Sequence, residues 1–418
     1  MKRLATLLAA TVLAAATLVG CSTSTETLTV LGPWTGAEEQ SFRALLDAYT
    51  AQTHVEVNYQ GNAAVNQVLL ADVRKGQAPD VAVLSSPGEL ARYAHSRDLH
   101  PITDVVTLPD TEYSSQWRSL LQLGTADLYA VPVKADLKSL VWYDPARSPG
   151  PKPATWDELL AYTTDAASHG VSPWCLGVEA YSTSGWPGTD WIEDILLHRH
   201  GAKYEQWAAG ELPWTSPEVR DAWESWGRLL RTPNAVQGGR SGALLTYFGD
   251  AGKPMFTNPP GCLLEHQASF APGAYPATAK PDYFPFPGGD PEEASVNLAG
   301  MFTDSPAARD LMAFLASARA QAIWPMQTGS RAYSVNQRVL ADGVYQDDVS
   351  RRIGRTLATG KLCLDASDVM PADMADAFSR GVLEYLADPG QLDAILAGLE
   401  EVRAALPSDE HLAVPCAR

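Results

Sequence analysis

The sequence is short of positive charge: 31 Lys and Arg stand against 49 Asp and Glu in 418 residues, a formal net charge of −18. Such a balance argues against nucleic acid, because holding phosphates requires clustered cations. It also disfavours charge-driven binding to anionic membrane surfaces. Cysteine is scarce, five in all, and there is no Cys-x-x-Cys pair, no His-Glu-x-x-His and no Gly-x-Ser-x-Gly. His198 and His200 stand two apart, so on a helix they point in different directions and make a poor metal pair. No catalytic residue, metal or cofactor is therefore expected. Beyond the first twenty residues no apolar run approaches the roughly 20 needed to span a membrane.

The first twenty residues are themselves a targeting segment. Lys2 and Arg3 precede the apolar run Leu4 to Leu18, and Leu18-Val19-Gly20-Cys21 follows. The arrangement resembles a bacterial lipoprotein signal, which implies cleavage before Cys21 and a lipid on its thiol. The mature chain is then exported, tethered to the outer face of the cell membrane through Cys21, and not integral. Four cysteines remain, Cys175, Cys262, Cys363 and Cys416, and they allow three pairings. Cys175 with Cys262 and Cys363 with Cys416 is the favoured one, since the first two fall in the same predicted lobe; free buried thiols stay open.

A chain this long is expected to fold as two domains or one two-lobed body. Thr27 to Gly32 reads as a strand, and Phe42, Leu45, Leu46 and Tyr49 mark one face of a helix. His54 to Tyr59 alternates as a second strand, Val65, Val68 and Leu69 mark another helix, and Asp80 to Leu84 is a short buried strand. This alternation predicts an α/β layer with a largely parallel sheet, whose ligands sit beyond the carboxyl ends of the strands. Gly32-Pro33-Trp34 and Ser85-Ser86 fall there. Between Leu128 and Tyr143 two strand-like pieces flank a polar centre with Lys134, Asp136 and Lys138, suited to crossing from one lobe to the next. Helix starts are expected at Thr155, Ser216 and Ser305.

Nine of the twelve tryptophans lie between Trp142 and Trp226. Helical spacing makes Trp156, Trp223 and Trp226 core residues. Trp186 and Trp191 differ, because Gly185-Trp186-Pro187-Gly188-Thr189-Asp190-Trp191 reads as a loop running into a helix. Indole faces suit the C–H side of a pyranose, and a carboxylate beside them accepts hydrogen bonds from its hydroxyls. Glu193 and Asp194 admit a glycoside-hydrolase reading, but acidic residues in a first helical turn more often answer the helix dipole.

With these segments in order, the chain resembles an extracellular solute-binding protein of bacterial ABC sugar importers, the group with maltose- and α-glucoside-binding members. The resemblance runs from the lipobox through Val30 to Gly36, Ala78 to Val81, Val131 to Tyr143, Gly185 to Asp194, Gly249 to Ala251 and Gly261 to Phe270. It implies an α/β, two-lobed periplasmic-binding-protein-like fold with several inter-lobe crossovers and a ligand cleft between the lobes. Residues 27–134 and 288–331 would form the amino-terminal lobe, 135–287 and 332–418 the other, after a signal at 1–20 and a tether at 21–26. It further implies capture of a di- or oligosaccharide by cleft closure, delivery to a membrane permease, and a monomer. Carried over to this sequence, it puts Trp34, Ser85 and Ser86 on one lip, Lys134, Asp136 and Lys138 near the first crossover, and Trp186, Asp190 and Trp191 on the opposite lip. Glu265 and Gln267 lie in a segment that lines the cleft of relatives, with His266 between them structural. Lys134 and Lys138 would equally suit a phosphorylated solute such as a glycerophosphodiester, and a lipid-anchored carbohydrate-active enzyme is the remaining alternative.

Overall fold

In the computed structural model, residues 27–147, 151–407, 410–413 and 416 are described. The signal segment and Cys21 lie outside them. Nine strands occur in chain order: β1 (Thr27–Gly32), β2 (Glu56–Gly61), β3 (Val81–Leu84), β4 (Ala130–Leu137), β5 (Leu140–Tyr143), β6 (Leu264–His266), β7 (Asp282–Pro285), β8 (Glu292–Met301) and β9 (Leu362–Leu364). Six form a large sheet ordered β2-β1-β3-β8-β4, with β9 on β8; β6-β5-β7 form a smaller one. The large sheet is mixed. β1 pairs in parallel with β2 and β3, and β8 runs antiparallel to β3 and β4 but parallel to β9. Apolar side chains cover both of its faces. Leu28, Val30, Val81 and Val83 pack with Phe42, Leu45, Tyr49 and Leu311 on one side, while Leu31, Ala82 and Leu84 join the core that continues into the small sheet.

The expected strands and helices occur, with two adjustments. The lobe boundary expected after Lys134 falls inside β4, which keeps pairing with β8 to Leu137, so the chain leaves the large sheet at Lys138 and Ser139. It returns between Pro285 and Glu292. β9, expected in the second lobe, pairs with β8 at Glu292 to Ala294; its apolar Leu-Cys-Leu gives no sequence hint of which sheet it joins. Cap positions follow the sequence: Ser216 and Ser305 accept from Val219 N and Ala308 N, ahead of a proline at the first helical position. Thr155 accepts from Glu158 N, while Glu158 reaches back to Ala154 N. Cys175 is bonded to Cys262, and Cys363 to Cys416. No helix among the described residues is long and apolar enough to cross a membrane.

The helix Trp186–Ala208 is buried from Pro187 through Leu197. Gly185 opens it with φ 111°, in the left-handed region that disfavours any side chain. A Cβ there would lie 2.2 Å from Ser379 O, and one on Gly188 would lie 2.5 Å from Val382 Cγ1. These two glycines therefore let the helix Ala372–Ala387 lie directly against the helix start. The stretch expected as a loop is thus the helix's own first turns, with Pro187 tolerated because a first-turn N–H needs no partner.

Candidate functional site

A cleft of about 1110 Å³ runs between the carboxyl end of the large sheet and the start of the helix Trp186–Ala208. That is at the upper limit of ordinary small-molecule pockets, about 300–1,000 Å³, and is roomier than one small ring requires.

Its floor is built by β4 and the residue after it. Lys134, Asp136 and Lys138 recur at the strand period of two, so all three side chains face the cleft. Lys134 Nζ is 2.9 Å from Glu38 Oε1 and 3.5 Å from Asp136 Oδ2. Asp136 also accepts from Ser269 Oγ at 3.0 Å. Lys138 Nζ stands 3.0 Å from both Asp190 Oδ2 and Asp365 Oδ2, and 4.6 Å from the centre of the Trp186 ring. Burial works against a charge on either lysine, but the adjacent carboxylates outweigh it and hold both ammoniums above the ordinary lysine value. Asp190 is more evenly balanced. Burial pushes its carboxyl up to about 7 against the pull of Lys138. Its Oδ1 has no hydrogen-bond partner among the described residues, a spare acceptor at the cleft floor.

Aromatic rings form the walls. Trp186 and Phe248 meet at 5.1 Å, Phe248 and Tyr247 at 4.6 Å, and Tyr247 and Tyr181 at 5.5 Å, a chain of rings from the floor to the rim. Phe270 packs against both Trp186 and Phe248. Across the cleft Trp34 and Trp324 are in edge contact at 4.5 Å. Lys134 Nζ lies between the two walls, 5.3 Å from the Phe270 ring and 5.8 Å from that of Trp324.

Of the expected site residues, Trp34, Ser85, Ser86, Lys134, Asp136, Lys138, Trp186 and Asp190 line this cleft. Ser86 also has structural work: its hydroxyl caps the helix Pro87–Ser96 at Glu89 N and donates to Asp368 O at 3.1 Å. Trp191, Glu265 and Gln267 do not line it. Trp191 is five residues past Trp186, on the opposite side of the helix, and is 1% exposed, with Trp174 and His266 each 4.7 Å away. Glu265 turns inward to the Tyr275 hydroxyl at 2.5 Å, and burial pushes its carboxyl up to about 8. Gln267 accepts from Ala268 N, and its backbone carbonyl accepts from Trp142 Nε1 at 2.9 Å.

Sequence reasoning missed Tyr247, Phe248, Phe270 and Trp324, and the carboxylates Asp365 and Asp368. The Gly-rich run before Tyr247-Phe248 hints at a loop with two exposed rings. Nothing local marks Trp324, Asp365 or Asp368, which long-range packing brings in.

Ser139, Asp194 and His266 also come together, but not as a nucleophile and its base. Ser139 Oγ donates to Asp194 Oδ1 at 2.5 Å and His266 Nε2 meets Asp194 Oδ2 at 2.7 Å, so the carboxylate stands between hydroxyl and imidazole. All three are buried. Burial opposes the charge on Asp194, yet bonds from His198 and His266 hold it down at about 2.

Comparison with known proteins gives a consistent outcome. Residues 34–322 match the family described as bacterial extracellular solute-binding protein. The chain is 33% identical to the alpha-glucosides-binding periplasmic protein AglE of Rhizobium meliloti (strain 1021) over 400 residues, 90% of this chain and 86% of that protein. It is 33% identical to the osmoprotective compounds-binding protein GgtB of Synechocystis sp. (strain ATCC 27184 / PCC 6803 / Kazusa) over 377 residues, 86% of this chain and 88% of that one. Among solved structures it resembles the bacterial solute receptor AcbH, with a TM-score of 0.77 at 20% identity, covering 91% of this chain and 97% of that one. A cyclic alpha-maltosyl-1,6-maltose binding protein from Arthrobacter globiformis aligns with a TM-score of 0.61 at 20% identity, covering 91% and 98%.

Proposed function

The chain belongs to the bacterial extracellular solute-binding proteins, and from that premise we propose that it captures a di- or oligosaccharide in the cleft between its two lobes and delivers it to the permease of an ABC importer. The observation that carries this is the alternation of ring faces with hydrogen-bonding carboxylates in one cleft. Trp186, Phe248 and Phe270 offer apolar faces, while Asp190 and Asp136 offer acceptors to hydroxyls. The cleft volume favours more than one sugar unit, and the likeness to an α-glucoside binder makes α-glucosides the first class to test.

A phosphorylated solute fits less well. Lys134 and Lys138, the cations expected from the sequence to suit its phosphate, are each already between two carboxylates. Taking up an anion there would mean displacing a paired charge from a buried site, at a cost of several kcal/mol. Turnover is also not expected, since in the buried Ser139–Asp194–His266 arrangement the imidazole meets the carboxylate and not the hydroxyl, and none of the three lines the cleft. Closure of the lobes on the ligand, a lipid on Cys21 and a monomeric state complete the proposal.

The test is calorimetric titration with maltose, trehalose, longer α-glucans and a glycerophosphodiester. Saturable binding of a neutral glycoside, with no product formed on prolonged incubation, is the expected result. Binding of the phosphodiester alone, weakening steeply with salt, would replace this reading with the anionic one.

A further inference from the structure

Next to the cleft floor three segments of the chain meet at one buried group of side chains. Glu193 comes from the helix Trp186–Ala208, Glu293 from the start of β8, and Ala366 from the turn after β9. Both glutamates are 0% exposed.

Their donors account for half of their oxygens. Glu193 Oε2 accepts from Ala366 N at 2.8 Å and lies 3.4 Å from Ser367 N. Glu293 Oε1 accepts from the Tyr204 hydroxyl at 2.7 Å. Glu193 Oε1 and Glu293 Oε2 have no N–H or O–H donor among the described residues, and carboxylate oxygens of Glu193, Glu293 and Asp365 all lie within 4.8 Å of one another. Ionised carboxylates have only acceptors and repel one another, so two glutamates buried at this distance with no donor between them are accommodated by a proton on one of them.

The surroundings supply no cation in place of that proton. The β4–β5 crossing contributes Lys138, already held by Asp190 and Asp365. The helix contributes Asp190, Asp194 and Tyr204, and the turn after β9 contributes Asp365 and Asp368, so every other charge facing the pair is negative. His198 and His266 are engaged by Asp194.

We propose that Glu293 and Glu193 share one buried proton that fastens β8 to the helix Trp186–Ala208 at the junction of the two sheets, and that its loss in alkaline solution loosens this junction. The backbone N–H donors mark Glu193 as the ionised partner, which places the proton on Glu293. Without it, two like charges face each other between the crossing that returns from the small sheet and the helix that carries Asp190. The coupling of this junction to ligand affinity rests on the closure reading given above; the proton itself does not.

Burial raises both carboxyls well above the usual range. The unfolded chain releases this proton near pH 4.3 while the folded one keeps it, so the pair's contribution to stability falls as pH rises above about 4 and levels off once the folded pair ionises. Glu293→Gln mimics the protonated acid, an amide donor to Glu193 with a carbonyl facing Tyr204, and removes the titration. Its melting midpoint should match the wild type near about pH 5 and exceed it by roughly 2–4 °C near about pH 9. Infrared difference spectra of the unliganded protein at neutral pH should show one protonated-carboxyl C=O stretch that this variant lacks.

Glu193→Gln provides a second, independent variant, because it too leaves one ionisable oxygen pair and one amide, and it should flatten the same pH dependence. Sugar affinity should depend on pH differently in the wild type and in Glu293→Gln, which keeps the titration of Asp190 but loses that of the pair. If no sugar binds at any pH, the carbohydrate reading fails, while the infrared and melting results still decide on the proton. The proposal is overturned if neither variant removes a protonated-carboxyl band, or if their pH profiles of stability run parallel to the wild type. It is equally overturned if a chelator lowers the wild-type midpoint and added calcium restores it, which would place a metal ion where the proton is assigned.

Discussion

The ammonium of Lys138 lies 3.0 Å from the carboxylate of Asp190, with Asp365 at the same distance on its other side and the Trp186 ring beneath it. One residue from the first crossing is thereby tied to the helix of one lobe and to the turn after β9. Neither carboxylate is left to face the other alone.

Lys138→Met should therefore be among the most damaging substitutions in the cleft. It leaves Asp190 and Asp365 buried without their cation, and breaking a buried pair in this way costs about 3–5 kcal/mol. The loss should shrink as pH falls, because Asp190, pushed up by burial even against the pull of Lys138, takes up a proton more readily without it and the repulsion falls. Urea unfolding on either side of neutrality measures both effects.

Asp190→Asn separates binding from stability. Removing the carboxylate should weaken sugar affinity by about 1–2 kcal/mol, the cost of an unpaired hydroxyl in a closed site, as read by calorimetry. Stability should respond the other way. Asp190 keeps its proton in the folded state up to about 7, whereas the unfolded chain loses it near about 3.9, so its contribution falls as pH rises between those values. The asparagine variant should lack this decline.

Two tryptophans on one helix should give opposite phenotypes. Trp186→Ala should leave unfolding nearly unchanged and weaken sugar binding, since its half-buried ring faces the cleft. Trp191→Ala should cost about 3–5 kcal/mol of stability, the usual range for emptying a large aromatic site, because its ring is enclosed by Trp174, Trp226 and His266. Equal losses of affinity from both, at unchanged stability, would contradict this assignment.

Acid should act through Asp194. Its carboxyl is held at about 2 against about 3.9 in an unfolded chain, so its contribution is fully present above about pH 4 and is lost as pH falls toward 2. Asp194→Asn should flatten the acid limb of the stability profile, followed by circular dichroism from neutral to strongly acidic solution.

The α/β alternation was legible in local pattern: the helical spacing of Phe42, Leu45, Leu46 and Tyr49, and the period-two placement of Lys134, Asp136 and Lys138, whose side chains do share one face. Glu265 and Gln267 were less legible. Alternation along a strand says that two residues share a side, not which side meets the cleft, and in β6 the side chain of Glu265 meets Tyr275.

The stretch around Gly185 shows where the division falls. By itself the sequence determined that two indoles and three carboxylates stand close together, and that glycine and proline open the segment. Helical geometry then sends Trp186 and Asp190, four apart, to one face, and turns Trp191 away from it. That the segment is helical from Trp186 onward was decided by tertiary packing, because only the helix Ala372–Ala387 pressing on Gly185 and Gly188 fixes the entry of the chain. The same packing brought Asp365, Asp368 and Trp324 into the cleft from far along the chain. A spacing pattern reports which side chains share a face; only the fold decides what that face meets.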